Sequence, residues 1–373
     1  MAPRTWVILG DKRGDNGQVE TIVDALGWPV EHRFVQPLPQ WVYGKPRYRP
    51  TLDHLDLSRS DALAAPWPEL ILTVGRRPSM AALWVKAQSG GRTKIALVGK
   101  PSGLLEDFDL VIASGENQMP PLPNVLVTAL PFMQVAEDAV REAAVAWAPR
   151  FADLPRPLVA FLVGGETNPF VMDERVAHGL VAEAKRVVAD GGTPWITTSR
   201  RTTADVVAVL ERDLPPQARL FTWSAEAPPA DNPYRALLGS ADAFVVTGDS
   251  ISMQVEVARL RRPLAIFPLP AGRFGAPDLW RRGFASWLNN PRCTTPADRW
   301  RQRLARAIYR VDYFKLFSST RDFQAFHRLL IDHGLAVWAG QPLVEPAGEL
   351  PDDLSVAVAR VRALFPEGSS AAS

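Results

Sequence analysis

Apolar runs of strand length recur along this chain. Most are followed by a small polar turn and then by a stretch with helical spacing of its apolar positions. The first series holds Trp6–Leu9, Leu70–Val74, Lys94–Val98, Leu110–Ala113 and Asn124–Thr128. The second holds Leu158–Val163, Pro194–Thr198, Arg219–Trp223, Ala243–Thr247 and Leu264–Phe267. Helices are predicted at Gln18–Leu26, Ser79–Gln88, Val135–Trp147, Glu174–Asp190, Ala204–Arg212, Pro233–Gly239 and Ser252–Leu260. Strands of this kind alternating with helices predict parallel sheets of the α/β class, covered on both faces. The segment Gln36–Pro50 breaks the pattern. It is rich in proline, aromatic and basic residues (Trp41, Tyr43, Lys45, Arg47, Tyr48, Arg49) and reads as an irregular loop, either an ordinary surface loop or one that rests on a membrane. Beyond Pro296 the chain reads as helical and aromatic-bearing, with Trp300, Leu304, Ile308 and Tyr309.

A chain of 373 residues exceeds one ordinary α/β core. The Pro-rich stretch Pro149–Pro157 predicts a linker between two Rossmann-like domains, 1–150 and 151–335. Residues 336–373 read as a C-terminal segment that returns to the first domain as a helix and ends in a disordered tail. Open parallel sheets take ligands at the carboxyl ends of their strands, so two such domains predict a site in a cleft that both face.

Composition narrows the function classes. The chain is 47% hydrophobic, which excludes a largely disordered protein. Its formal charge of +2 argues against a long nucleic-acid partner. Cys293 is the single cysteine, so no intrachain disulfide can form. No apolar run has the length of a signal-peptide core or a membrane span. The expected location is cytoplasmic, with peripheral contact to the inner face of the membrane as an open alternative. No histidine falls in a metal-ligand spacing, so neither a metal nor another cofactor is expected.

The turns after the strands carry the candidate chemistry. After the first strand, Gly10 leads into Asp11, Lys12, Arg13, Gly14, Asp15, Asn16 and Gln18. The carboxylates there suit a general base and the cations suit a phosphate. The plainer reading is a solvated turn in which Asp or Asn caps a helix. Gly164 and Gly165 follow the first strand of the second series, where backbone N–H groups can meet a diphosphate. Arg200, beside Arg201 in Ser199–Thr202, suits pyrophosphate neutralisation or plain solvation. Asn232 precedes Pro233 and is as good a helix cap as a ligand contact. The densest signal is Thr247, Gly248, Asp249, Ser250, Ser252 and Met253, a polar turn that opens a helix and so offers an anion site. Glu256, further along that helix, is spaced to accept hydroxyl hydrogen bonds from a ribose or sugar.

In combination, Gly10-Asp11-Lys12 through Gln18, Ser199–Thr202, Asn232-Pro233-Tyr234, and Val246–Ser250 through Met253 and Glu256 resemble the motifs of the plant mitochondrial-fission, or elongated-mitochondria, family and its bacterial relatives. The resemblance runs from about residue 5 to about residue 335. The second-domain motifs are also similar to those of GT-B glycosyltransferases, including the enzyme that adds N-acetylglucosamine to the lipid precursor of peptidoglycan. That similarity implies a GT-B-like fold, an acceptor on the first domain and a nucleotide-sugar donor on the second. It would put Gly164, Gly165 and Arg200 near the diphosphate, Ser250, Ser252 and Met253 around the donor, and Glu256 on the ribose. Lys12, Arg13, Gly14, Asn16 and Gln18 would lie on the acceptor side. The bacterial family pattern places a His-Asp pair after the strand Leu110–Ala113. Here Glu116-Asn117 stands in that place, which makes Glu116 a candidate base beside Asp11 and Asp15. The expected activity is sugar transfer from a nucleotide-sugar to an acceptor hydroxyl of unknown identity. The alternatives are a non-catalytic nucleotide-binding or membrane-associated adaptor, and a nucleotide-sugar epimerase.

Overall fold

The computed structural model describes residues 2–42, 44–120, 122–272, 275–289, 298–311 and 321–366. The chain divides into two compact units, and the division does not follow the chain once through. Unit 1 comprises the chain up to Gln134, Arg282–Asp322 and the chain from Pro351; unit 2 comprises Val135–Arg281 and Phe323–Leu350. The passage from unit 1 to unit 2 thus falls at Gln134–Val135, ahead of the Pro-rich stretch. The helix before that stretch runs through Pro149 to Phe151, and Trp147 and Phe151 are buried in unit 2. Pro149 sits two residues before the end of this helix, where its missing N–H costs one bond to the turn before it without ending the helix, and so it does not mark the boundary.

Unit 1 is a sheet of six parallel strands. Its elements in chain order are β1 (Thr5–Leu9), α1 (Arg13–Leu26), β2 (Val30–Phe34), β3 (Leu70–Val74), α2 (Arg76–Gln88), β4 (Lys94–Val98), β5 (Leu110–Ser114) and β6 (Val125–Thr128). The sheet order is β2-β1-β3-β4-β5-β6, so the order reverses between β1 and β3. Alternation along the strands sends side chains to two cores. Trp6, Ile8, Ile71, Ile95, Leu97 and Val111 meet Ala81, Ala82 and Val85 of α2. Val7, Leu9, Leu70, Leu72, Ala96 and Ile112 meet Val19, Ile22 and Val23 of α1 on the other face. Each fully buried aliphatic side chain stabilises the fold by roughly 1.5–3 kcal/mol. This double coverage is the reason the strands read as continuous apolar runs.

Unit 2 follows the same logic: α3 (Glu137–Phe151), β7 (Leu158–Leu162), α4 (Glu174–Ala189), β8 (Thr193–Thr197), α5 (Ala204–Asp213), β9 (Arg219–Phe221), α6 (Tyr234–Ser240), β10 (Ala243–Thr247), α7 (Ile251–Arg259) and β11 (Leu264–Phe267). The chain leaves this unit within α8 (Gly275–Leu288), passes through α9 (Arg299–Val311) of unit 1, and re-enters for α10 (Phe323–Asp332) and β12 (Val337–Trp338). The last helix, α11 (Asp353–Arg362), lies in unit 1, where its Ala357 and Val361 join the core against α1. The sheet of unit 2 runs β12-β11-β10-β7-β8-β9 in parallel pairs. Counted within the unit this is the doubly wound order 3-2-1-4-5-6, with its reversal between β7 and β10.

The structure adds two strands and lengthens two helices relative to the sequence expectation. β2 is an edge strand whose residues Glu31, His32 and Phe34 are exposed, so no apolar run marks it. β12 has two residues. α1 begins at Arg13 instead of Gln18 and α2 at Arg76 instead of Ser79. Among the described residues no helix is long and apolar enough to cross a membrane.

Candidate functional site

The reversal point of unit 2 gathers most of the second-series motif residues. β7 runs out into Gly164-Gly165 and its neighbour β10 into Gly248-Asp249-Ser250. Asp249 ties the two turns together. Its side chain is fully buried; Oδ2 accepts from the Gly165 N–H at 2.9 Å and from the Arg201 guanidinium at 3.1 Å, and Oδ1 accepts from the Thr247 hydroxyl at 2.7 Å. The Thr247 hydroxyl in turn accepts from the Gly164 N–H at 2.8 Å. Burial pushes the Asp249 carboxyl above the ordinary carboxylate range, against the pull of Gly165, Thr247 and Arg201. The packing also explains the two glycines. A Cβ on Gly164 would stand 2.3 Å from Asp249 Oδ2, and one on Gly165 would stand 2.1 Å from the Arg201 carbonyl oxygen.

These bonds bear on three expectations. The N–H groups of Gly164 and Gly165 are spent on Thr247 and Asp249, so they are not open donors for a diphosphate. Asp249 is a knot within the protein, with both carboxylate oxygens occupied. Arg200 and Arg201 are both exposed, and it is Arg201 whose guanidinium bonds Asp249 and the Thr167 hydroxyl. Ser199 closes the arrangement, its hydroxyl donating to the Gly164 carbonyl at 2.8 Å. Sequence spacing cannot tell Arg200 from Arg201, because adjacent residues in a turn point in different directions.

α7 opens beside this knot. Its first intrahelical bond runs from the Gln254 N–H to the Ser250 carbonyl at 3.1 Å, so the N–H groups of Ile251, Ser252 and Met253 form the unpaired opening turn. Ser250 is buried at the cap position, Ser252 is exposed and Met253 is half-buried. Two side chains hold the β10–α7 turn from behind: Gln254 Nε2 donates to the Thr247 carbonyl at 3.1 Å, and His327 Nε2 donates to the Gly248 carbonyl at 2.8 Å. The His327 bond joins α10 to the turn, a link with no local signal in the sequence. Further along α7, the Glu256 carboxylate accepts a short hydrogen bond from the Tyr234 hydroxyl. Burial raises the Glu256 carboxyl above its ordinary range, and burial together with the Glu256 charge raises the Tyr234 phenol. Asn232 Oδ1 accepts from the Tyr234 N–H at 3.0 Å at the start of α6.

In unit 1 the first-series motif lies at the other reversal point, between β1 and β3. A cavity of about 370 Å³ is lined there by Asp11, Lys12, Asp15, Lys45, Gly75 and Arg76, among others. Asp11 is paired with Arg77 at 2.7 Å, and Arg77 also donates to the Trp41 and Val42 carbonyls. Asn16 spends its amide on both backbone groups of Gly10, at 2.9 and 3.4 Å. Lys12 is exposed; Asp15 and Gln18 are half-buried on α1. Arg13 and Gly14 belong to the first turn of α1, with their side chains outside the described residues. Glu116 does not join this cavity's lining. It is 2% exposed, its Oε1 accepts from Ser114 at 2.6 Å and Asn117 at 3.2 Å, and its Oε2 is buried without a partner. The basic pair Arg76-Arg77 went unnoticed in the sequence. A strand followed by glycine, two arginines and a helix start was the available signal. Among the described residues no group of three or more His, Cys, Asp or Glu stands ready to hold a metal ion.

The comparison with known families settles the relationship. The sequence profile of the family described as "Mitochondrial fission ELM1" matches residues 13–308. The chain belongs to that family. Mitochondrial fission protein ELM1 of Arabidopsis thaliana is 27% identical over 221 residues, covering 53% of this chain and 51% of that protein. The chain therefore spans about half the length of this curated relative. Among solved structures, the UDP-GlcNAc 2-epimerase of Methanocaldococcus jannaschii is similar with a TM-score of 0.45 and 11% identity, over 88% of this chain and 99% of that one. MurG of Acinetobacter baumannii is similar with a TM-score of 0.42 and 11% identity, over 97% of this chain and 91% of that one.

Proposed function

We propose that this ELM1-family chain binds a nucleotide-sugar at the carboxyl ends of β7 and β10 and transfers its sugar to an acceptor hydroxyl. The observation that carries the reading is the opening turn of α7 at the reversal of a doubly wound sheet, with Glu256 on the same helix. The first-turn N–H groups suit a diphosphate. Glu256 lies about 6 Å further along the axis from Ser252, at 1.5 Å per residue, where ribose hydroxyls would follow. Tyr234 holds the carboxylate so that it can accept from them. As the nucleoside diphosphate leaves, its growing charge would be met by the helix terminus, with Arg201 and the exposed Arg200 as the nearby cations. Asp249 then acts by positioning the turn and Arg201. In unit 1, Asp15 is the favoured base, because Asp11 is committed to Arg77 and Glu116 is buried.

A second reading is a nucleotide-binding or membrane-associated adaptor without catalysis. The commitment of Asp11 and Glu116 to the fold favours it. One experiment separates the two. Thermal shifts are measured with UDP-, GDP-, ADP- and CMP-sugars, and any stabilising donor is assayed for sugar release. Ligands that bind only the native state raise its melting temperature. A shift with release that is lost in Asp15→Asn supports transfer. A shift without release supports a nucleotide-binding adaptor, and no shift with any nucleotide removes the transfer reading and leaves the membrane-associated adaptor. Glu256→Ala should weaken the stabilising donor about tenfold or more, the usual cost of losing charge-assisted hydrogen bonds.

A further inference from the structure

We propose that the outer face of α9 in unit 1 docks on an anionic lipid surface. The sequence of α9, Arg-Trp-Arg-Gln-Arg-Leu-Ala-Arg-Ala-Ile-Tyr-Arg-Val, holds five arginines and no acidic residue. In a chain whose formal charge is +2, this one helix reverses the sign of the rest. Its helical periodicity separates two faces. Arg301 and Ala305 are buried and Ile308 and Tyr309 half-buried; the Tyr309 ring packs on the core beside α2 and its hydroxyl donates to the Pro101 carbonyl at 3.1 Å. The opposite face exposes Trp300, Arg303, Leu304 and Ala307, flanked by Arg299 and Arg306.

Trp287, from the end of α8, extends that face. Its ring centre is 5.9 Å from that of Trp300, and it is 44% exposed beside a Trp300 that is 58% exposed. Two neighbouring indoles and a leucine in water are costly for a soluble surface. Arginines around them exclude an apolar protein groove as the natural cover. A helix with indoles and aliphatic groups on the same face as its cations matches the headgroup region of a membrane, where indoles favour the interface and arginines meet acidic lipids. The occupant is thus the anionic bilayer itself. A nucleic acid would also satisfy the charge, but Leu304 and Ala307 give it nothing to recognise. The aromatic and basic loop at 41–49 is a weaker contender, because Arg76 and Arg77 bind its carbonyls and Tyr48 is turned inward to Ser79 at 2.7 Å.

The test uses the full chain and two sets of vesicles, phosphatidylcholine alone and phosphatidylcholine mixed with phosphatidylglycerol. The chain should sediment with the acidic vesicles, far less with the neutral ones, and progressively less as salt screens the contact. Each basic side chain at such a surface strengthens binding about fivefold. The double variant Arg303→Gln, Arg306→Gln should therefore bind roughly thirtyfold more weakly. Trp300→Ser should reduce the tryptophan quenching caused by brominated lipid, with the share of Trp287 remaining. Both variants alter exposed residues, and an unchanged melting temperature confirms that each is folded. The proposal is overturned if the wild type binds neither vesicle or binds both equally, if the folded double variant binds like wild type, or if a single-stranded oligonucleotide binds more tightly than the acidic vesicles and displaces them.

Discussion

Asp249 is a buried and Glu256 a half-buried carboxylate in the same unit, yet the protein uses them differently. Asp249 is saturated by Gly165, Thr247 and Arg201, so its work is architectural. Glu256 has Tyr234 as its described partner and keeps acceptor capacity for a ligand. Residue types and spacing alone make the two look alike. The distinction depends on which donors the turns bring within 3 Å or so, which a linear pattern does not contain. A pH prediction belongs at this scale. The folded Glu256 carboxyl lies above its unfolded value because burial penalises its charge. Its contribution to stability is therefore fully present below the unfolded value and is lost as pH rises through the folded one. Glu256→Gln, which keeps an acceptor for Tyr234, should be more stable than wild type near neutral pH. The difference should vanish toward about pH 4, where the unfolded glutamate is itself protonated. Urea titrations at both pH values decide the matter, and a gain that persists unchanged in acid would refute the burial explanation.

Elements buried on both faces were legible in advance; edges and helix starts were not. β1, β3, β4 and β5 coincide closely with their apolar runs because every side chain but that of Lys94 is buried. β2 escaped because an edge strand needs only backbone partners, and its exposed Glu31, His32 and Phe34 show no period. α1 escaped over its first turn because Gly14 and Gly17 lower helix propensity, while the Asn16 bonds to Gly10 that secure the start are tertiary geometry. The same holds for α2. Its Arg77 reaches back to Asp11 and across to the Trp41 and Val42 carbonyls, fastening a loop that otherwise reads as irregular. Arg77→Met should cost about 2–4 kcal/mol, as expected for breaking a largely buried pair and leaving carbonyl acceptors unmet. Trypsin should cut faster after Lys45, Arg47 or Arg49 in the variant. Unchanged cleavage rates would show that the loop is held by other contacts.

At the scale of the whole chain, each unit should lose stability in alkali. Tyr48 and Tyr309 in unit 1 and Tyr234 in unit 2 are all pushed above the ordinary phenol range, chiefly by burial. Above about pH 10 the unfolded chain releases these protons while the folded chain keeps them, so the unfolded state binds fewer protons and stability falls as pH rises. The two such groups of unit 1 give a slope of up to about 2.7 kcal/mol per pH unit, and the one of unit 2 up to about 1.4. Tyrosinate absorbance and circular dichroism followed together should change over the same pH range. Full ionisation of these tyrosines with the fold retained would disprove the account. The parallel α/β class, two sheets and the families of turns at the strand ends were already written in the chain, because burial on both faces imposes an apolar code that survives in one dimension. Sheet order was not, since parallel strands of similar composition can be stacked in many sequences. The return of the C-terminal helix α11 to unit 1 was legible, but that of α9 was not, nor was the bond of Arg201 to Asp249. Those depend on which surfaces meet after the chain has folded back on itself, and contacts between residues tens to hundreds of positions apart leave no periodic trace.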